Sequence, residues 1–276
     1  MTVRADRKDE LMAHAAATVL GRNVNWIDDA AALLRDPDRL KHVRDDIAAG
    51  DIYVARRQVD AELLQDIRRY LEGVGRGSLP NYAPIEAGSP NFHRMNRNDS
   101  RAYVKGCFHQ FVFFPWNQDP FDLFTLCASI YHMKNRLSGL PAETYLGITP
   151  ADGCTARLAF QVYPRGGGFL TRHADPVDYH QLTVPIMQMT RKGVDFEEGG
   201  LFVQMADGHD LVIDDIAEPG DVVYFNAACP HGVAPIDPDA PLRWTTFAGR
   251  WMLLFAVNRV AGNAAIGNAV SLPGPA

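Results

Sequence analysis

FQVYPRGGGFLTRHAD, residues 160–175, reads as strand, glycine-rich turn and strand, and it ends on a histidine and an aspartate two positions apart. The run begins at Leu158, and Leu158 to Tyr163 is a stretch fit for a strand. Pro164 to Gly168 breaks it, and Phe169 to His173 resumes it. His173 therefore closes the second strand, and Asp175, two residues on, can point to the same side. The pattern recurs further on: Glu218 to Asp221 is a turn, Val222 to Phe225 a short apolar strand, and Asn226 to Pro230 a loop that delivers His231, 55 intervening residues after Asp175. With nine histidines in the chain, a His-x-Asp triplet can arise by chance. Two such segments at strand ends are more specific. Two neutral imidazoles and one carboxylate hold a divalent first-row metal on one face and leave its other positions open. Strand ends at a barrel mouth are where such a site belongs.

Residues 158–257 resemble the double-stranded β-helix core of the 2-oxoglutarate-dependent Fe(II) oxygenases. The resemblance is carried, in order, by FQVYPRGGGFLTRHAD, HQLTVPIMQMT (180–190), EEGGLFVQM (197–205), EPGDVVYFNAACPHGV (218–233) and GRWMLLFAV (249–257). It covers a little over a third of the chain. It implies a mainly β fold with a helical N-terminal part: a jelly-roll or cupin-like core flanked by helices. It also implies Fe(II) held by His173, Asp175 and His231, with 2-oxoglutarate and O₂ as cosubstrates. In that family a basic residue on a late strand pairs with the distal carboxylate of 2-oxoglutarate, a task suited to a planar, always charged guanidinium. Arg250 opens the apolar run Trp251 to Val257 and is the preferred anchor; Arg243 follows a loop-like stretch and is the second candidate. Tyr163 stands where several members place a tyrosine on the cosubstrate carboxylate, and Gln161 shares its face. Either could instead be a core residue satisfied by its neighbours.

The same resemblance implies hydroxylation with release of succinate and CO₂; the compact chain, without an obvious peptide- or DNA-binding appendage, suggests a small-molecule substrate, with a peptide or a carrier-tethered substrate left open. Halogenation is disfavoured, because relatives that halogenate carry a small residue where Asp175 stands. Desaturation, ring closure and epimerisation stay open, as does the substrate, for which an amino acid, an acidic metabolite or a natural-product intermediate are the expectations. The alternative is a cupin-type metal isomerase or dioxygenase that does not use 2-oxoglutarate. Cupins usually offer more histidines and a glutamate, against the two histidines and aspartate here.

Bulk properties agree with one enzyme domain. The chain has 276 residues and 47% hydrophobic content, enough for a sizeable core. Its formal net charge of −6 suggests no nucleic-acid partner. No run approaches the roughly 20 apolar residues of a membrane helix, and the charged N-terminus does not read as a signal peptide. Cys107, Cys127, Cys154 and Cys229 lack metal-type spacing and read as reduced buried thiols, so the expected location is cytoplasmic. A homodimer through the N-terminal helices is the default oligomer.

Residues 1–276 thus read as a single oxygenase domain: a helix-rich N-terminal elaboration with a substrate-lid loop over 1–150, the core over 151–260 and a tail over 261–276. Helices are expected over 5–20 and 26–48, the second capped by Asp28 or Asp29 and broken at 35–38. A strand is expected over 51–56, then a helix from an Asp60 cap through Glu72 with Leu63, Leu64, Ile67 and Leu71 at helical spacing. Residues 73–100, rich in Gly, Pro, Asn and Ser, read as a long loop, and 121–138 as a helix behind the sheet. In the stretch after residue 90, Arg94, Arg97 and Trp116 are the candidates for meeting a substrate; the plainer reading is a polar loop, a core strand and a turn.

Overall fold

The computed structural model describes residues 18–78, 92–98, 102, 104–178, 180–260 and 270–272. The N-terminal half runs β1 (Val24–Ile27), α1 (Ala30–Arg35), α2 (Pro37–Ala49), β2 (Ile52–Ala55), α3 (Ala61–Gly77), β3 (Phe92–Arg97), β4 (Gly106–Phe113), α4 (Leu123–Leu126) and α5 (Ala128–Leu137). The C-terminal half is almost all strand: β5 (Cys154–Pro164), β6 (Gly168–Ala174), β7 (Ile186–Gln188), β8 (Gly200–Gln204), β9 (Asp210–Val212), β10 (Val222–Tyr224), β11 (His231–Ile236), β12 (Gly249–Arg259) and β13 (Val270–Ser271). The described strands form one continuous sheet, ordered β1-β2-β10-β7-β12-β5-β4-β6-β11-β8-β9, with β3 added beside β4 and β13 beside β6. The sheet curls so that β3, β4, β5, β12 and β7 face β6, β11 and β8 across a shared interior. This is the jelly-roll type of double-stranded β-helix.

Strand alternation sorts the side chains between two cores. β12 and β5 are antiparallel along their whole length, from Gly249 opposite Pro164 to Arg259 opposite Cys154. On β12, Trp251, Leu253 and Phe255 face the helices, where they meet Leu33, Ile47, Leu64, Ile67 and Leu71. Met252 faces the interior with Tyr163, Ile186, Leu201, Val233 and Phe225. Each large apolar side chain so buried contributes about 1.5–3 kcal/mol. The helices therefore cover one face of the larger layer and leave its other face to the interior.

The helix starts follow the expected chemistry. Asp29 accepts from Ala32 N at 2.8 Å, and Asp60 accepts from Glu62 N at 2.8 Å. Residues 26–48 do not form one helix: β1 takes the first two, and Asp36 ends one helix while capping the next, with Pro37 in its first turn. The expected helix over 5–20 lies mostly outside the described residues. α3 runs past Glu72 to Gly77, and 92–97 is a strand, so the expected loop over 73–100 is shorter. Gly75 lets this helix approach the sheet, since a Cβ there would lie 2.4 Å from the Phe247 ring. The helix over 121–138 is broken at Cys127. The sheet also reaches beyond 151–260, taking β1 to β4 before it and β13 after it.

Two features of this scaffold can be tested directly. Gly249 opens β12 at φ +141°, and a Cβ there would lie 2.1 Å from Tyr163 O. Gly249→Ala should destabilise the protein by about 1–3 kcal/mol, read as a lower denaturation midpoint. An unchanged midpoint would show that the β5–β12 edge is not fixed as described.

The second is a buried chain of hydrogen bonds behind β3 and β4. Ser78 Oγ meets His93 Nδ1 at 2.8 Å, His93 Nε2 meets His109 Nδ1 at 2.9 Å, and His109 Nε2 meets Trp244 O at 3.1 Å. A carbonyl only accepts, so with neutral rings His109 donates to Trp244, His93 donates to His109, and Ser78 donates to His93. Burial pushes both histidines down to about 4, and for His109 the neighbouring His93 adds to the effect. The unfolded chain, with histidines near 6.5, takes up these protons first as pH falls. The stabilisation is complete above about 6.5 and is lost as pH drops toward 4, at a steepness set by both groups. Urea denaturation between pH 7 and 4.5 should show this loss, and His93→Phe/His109→Leu should be less stable at pH 7 yet lose less over the window. Equal losses in the two proteins would place the titration elsewhere.

Candidate metal centre and its cavity

His173 and His231 are direct partners across the β6–β11 ladder. Opposed residues in an antiparallel pair project to the same face, and the two rings stand 4.2 Å apart between centroids. Asp175 follows His173 by one strand repeat, and its backbone N–H donates to Ala227 O at 2.9 Å. That bond ties the end of β6 to the loop that delivers His231. One ligand atom from each of His173, Asp175 and His231 can be chosen so that all lie within 4.8 Å of one another. His231 Nε2 is 3.7 Å from Asp175 Oδ2.

The hydrogen bonds around the rings settle which nitrogens face the centre. His173 Nδ1 lies 2.9 Å from Thr171 O, and His231 Nδ1 lies 2.8 Å from Cys229 O. Carbonyls cannot donate, so each Nδ1 carries the proton and each Nε2 keeps its lone pair. Each ring is thus oriented through its own chain, two residues back. Burial, followed by the neighbouring His173, pushes His231 down to about 4, which keeps it neutral. Two neutral Nε2 donors and a carboxylate fit a divalent first-row metal held on one face.

The loop after Asp175 is clasped from behind. Lys134 on α5 is fully buried and donates to His180 O at 3.2 Å, while Ser138 Oγ accepts from Leu182 N at 3.0 Å. His180 pairs with Asp178, and Gln181 Nε2 donates to Pro176 O at 2.9 Å. Burial lowers the Lys134 ammonium to about 8.

The triad faces a cavity of about 220 Å³. Its wall includes Arg94 and Asn96 from β3, Phe108 and Gln110 from β4, and Arg157, Gln161 and Tyr163 from β5. These come together because neighbouring strands set Arg94 opposite Gln110, Gln110 opposite Gln161, and Gln161 opposite Met252. Tyr163 donates to Gln161 Oε1 at 2.5 Å, and burial pushes its hydroxyl above its ordinary value.

Arg250 lies opposite Tyr163 and is fully buried, with its guanidinium 5.9 Å from the Tyr163 ring. Its Nε donates to both Asp214 oxygens at 2.8 and 2.9 Å, and its Nη2 donates to Gln188 Oε1 at 2.7 Å. Nη1 is buried and has no partner among the described residues. Arg243 is exposed at the start of a short turn, and neither it nor Arg250 is among the residues that line the cavity. Asp237, which could have paired with it, is buried and pairs with Arg165.

Of the three candidates for meeting a substrate, the structure brings only Arg94 into the cavity wall. Arg97 lies over the Trp244 ring at 5.9 Å, on the other side of β3. Trp116 stacks on Phe114 at 4.8 Å and packs with Val112 and Ala159. Sequence reasoning missed Arg157 and Asp214. Arg157 was within reach, because Arg157, Ala159, Gln161 and Tyr163 are alternate residues of one strand. Asp214 carried no local signal: it reaches Arg250 from a short turn 36 positions away.

No family model matches the sequence, and no curated protein matches it. Among solved structures, a Pseudomonas putida prolyl-4-hydroxylase is similar at 18% identity and TM-score 0.48, over 81% of this chain and 100% of that one. JOX2, solved with 2OG, Fe and JA, is similar at 13% identity and TM-score 0.48, over 91% and 83%. A putative 2OG-Fe(II) oxygenase family protein from Caulobacter crescentus is similar at 11% identity and TM-score 0.47, over 86% and 87%. Likeness at this level does not by itself carry a ligand or an activity across.

The triad's geometry makes a prediction independent of any reaction. The protein should bind one Co(II) per chain in competition with a chelator. His173→Ala, Asp175→Ala and His231→Ala should each weaken binding by more than about a hundredfold, beyond the usual loss from a missing supporting hydrogen bond. Wild-type affinity in any of the three would remove that residue from the ligand set.

Proposed function

We propose that the chain is an Fe(II)- and 2-oxoglutarate-dependent oxygenase that hydroxylates a C–H bond of a small molecule. The observation that carries this reading is the pairing of His173 with His231 across β6 and β11, with Asp175 beside them and both Nδ1 protons held by backbone carbonyls. His173, Asp175 and His231 would hold Fe(II) on one face. When bound with its cosubstrate, that iron supplies the means to couple O₂ reduction and 2-oxoglutarate decarboxylation, giving succinate and CO₂, to oxidation of a C–H bond.

The chain's own residues have distinct tasks. Asp175 offsets part of the metal's charge and occupies a position that a halide would need. The carbonyls of Thr171 and Cys229 hold the two imidazoles in one tautomer. Arg250 would take the distal carboxylate of 2-oxoglutarate through Nη1, its uncommitted nitrogen, with the Tyr163 hydroxyl turning from Gln161 to help. Ile186, Leu201, Val233, Met252 and Leu254 line the cavity with apolar surface and limit water around the reacting groups.

A metal-dependent activity without 2-oxoglutarate is the second reading, and one observation favours it. Asp214 and Gln188 already occupy most of the Arg250 guanidinium and neutralise its charge. Anaerobic titration of Fe(II)-loaded protein with 2-oxoglutarate, followed by visible absorbance, separates the two. The oxygenase reading expects a weak band that needs both components, is absent in His173→Ala, and requires at least about tenfold more 2-oxoglutarate in Arg250→Ala. No band and no 2-oxoglutarate binding in folded, metal-loaded protein would sink that reading in favour of the second.

A further inference from the structure

Resting on the oxygenase reading of this site, we propose that the substrate is a small organic anion, and that Arg157 holds its acidic group with Arg94 beside it. Arg157 and Arg250 mark opposite ends of one strand pair. Arg250 lies opposite Tyr163, six residues along β5 from Arg157, a separation of about 20 Å along an extended strand. The Asp175 carboxylate acts electrostatically on both Arg157 and Tyr163. Asp175, Arg157 and Tyr163 line one cavity, so the metal ligands share it with the interior face of β5.

The two arginines differ in how their charge is balanced. Arg250 has a carboxylate, Asp214, bound to its Nε. Arg157 has no ion pair among the described residues; its Nη1 donates to the neutral Asn258 Oδ1 at 3.2 Å, and its Nε is buried with no partner. Burial, followed by the charge of Arg94, lowers Arg157 to about 10. Asp175 opposes this, but its charge is committed once it ligates a metal. A cavity wall that brings two guanidiniums together, one of them without an acid, is electrostatically incomplete until an anion enters.

Asn258 matters as a positioning residue. It lies on β12 diagonally across from Arg157, whose direct partner is Ala256, and it holds one branch of the guanidinium fork. The other donors are left for a planar or tetrahedral oxyanion. In the same cavity wall Gln110 and Gln161 offer amides, and Phe108, Met252 and Leu254 offer apolar surface for the body of the molecule. A carboxylate and a phosphate monoester share the required chemistry, and the experiment distinguishes them.

The test uses the full-length chain loaded with Zn(II), so that binding is read without turnover. The probes are hexanoate and phenylacetate, their neutral matches hexanamide and phenylacetamide, and phenyl phosphate, followed by saturation-transfer NMR and calorimetry. The anions should bind at least about tenfold more tightly than the amides. Arg157→Gln should lose that preference, Arg157→Lys should keep part of it, and both should retain wild-type Zn(II) and 2-oxoglutarate affinity. Whichever of phenylacetate and phenyl phosphate binds more tightly identifies the acidic group. Equal binding of acids and amides, or an unchanged preference in a folded Arg157→Gln, overturns the proposal. So does loss of 2-oxoglutarate binding in Arg157→Gln with retention in Arg250→Ala, which would make Arg157 the cosubstrate anchor. Failure of 2-oxoglutarate to bind any variant, with the acid preference and its loss in Arg157→Gln intact, would sink the oxygenase reading and leave the anion site standing.

Discussion

The register of β6 against β11 is the constraint on which the site depends. His173 opposite His231 puts two imidazoles on one face because opposed residues share a face, and no other element has to aim them. A slip of one residue would turn one ring to the far side. The register is held from both edges. β11 also pairs with β8, where His231 lies opposite Val203, and β6 also pairs with β4, where Leu170 lies opposite Gly106. The turn before β6 adds a further restraint. Gly166 and Gly167 take φ +89° and +100°, and a Cβ on Gly166 would lie 2.4 Å from Leu242 N. The glycine run therefore sets where β6 begins, and so which of its residues meets His231.

Asp175 lies just beyond the ladder, where strand register no longer controls it. Its position comes instead from the backbone bond to Ala227 and from the clasp behind the following loop. A buried ammonium is a costly way to hold a carbonyl. The cost explains why Lys134 is pulled down toward 8, and the nearby Asp178 partly offsets it. The clasp links α5 to the loop through charge rather than through packing alone. α5 is thus tied through this loop to the segment that carries Asp175, and a helix on the outer face of the sheet contributes to the site.

How much of this was legible in the sequence follows from the range of the forces involved. His173 and Asp175 were legible because strand periodicity and a glycine turn are local, and His231 because the turn and apolar strand before it repeat the pattern. Asp29 and Asp60 were legible as caps for the same reason. β3 was hidden, because its stability comes from the edge of β4 and from the His93–His109 chain rather than from its own polar composition. The break at Cys127 was hidden as well, since the apolar spacing continues across it. Among the arginines, sequence could rank Arg250 above Arg243 by the apolar strand it opens. It could not reveal Asp214 or Gln188, which reach Arg250 only through the closure of the sheet. Arg94 and Arg97 looked alike, yet three positions on a strand put them on opposite faces.

The charge distribution inside the sheet gives the site its direction. At one end Arg250 is neutralised by Asp214, buried completely and braced against Tyr163. Such a guanidinium keeps a resident counter-charge. At the other end Arg157 is only partly buried and has an amide in place of an acid. Its hydrogen-bond partner is neutral, so its charge is unmatched by any acid paired with it among the described residues until an anion enters. The difference between these arginines is one of partners: an amide for Arg157, a carboxylate for Arg250. Between them the metal ligands contribute one carboxylate and two neutral rings. The cavity therefore joins a cluster suited to a cation, His173, Asp175 and His231, to a wall suited to an anion, Arg157 with Arg94.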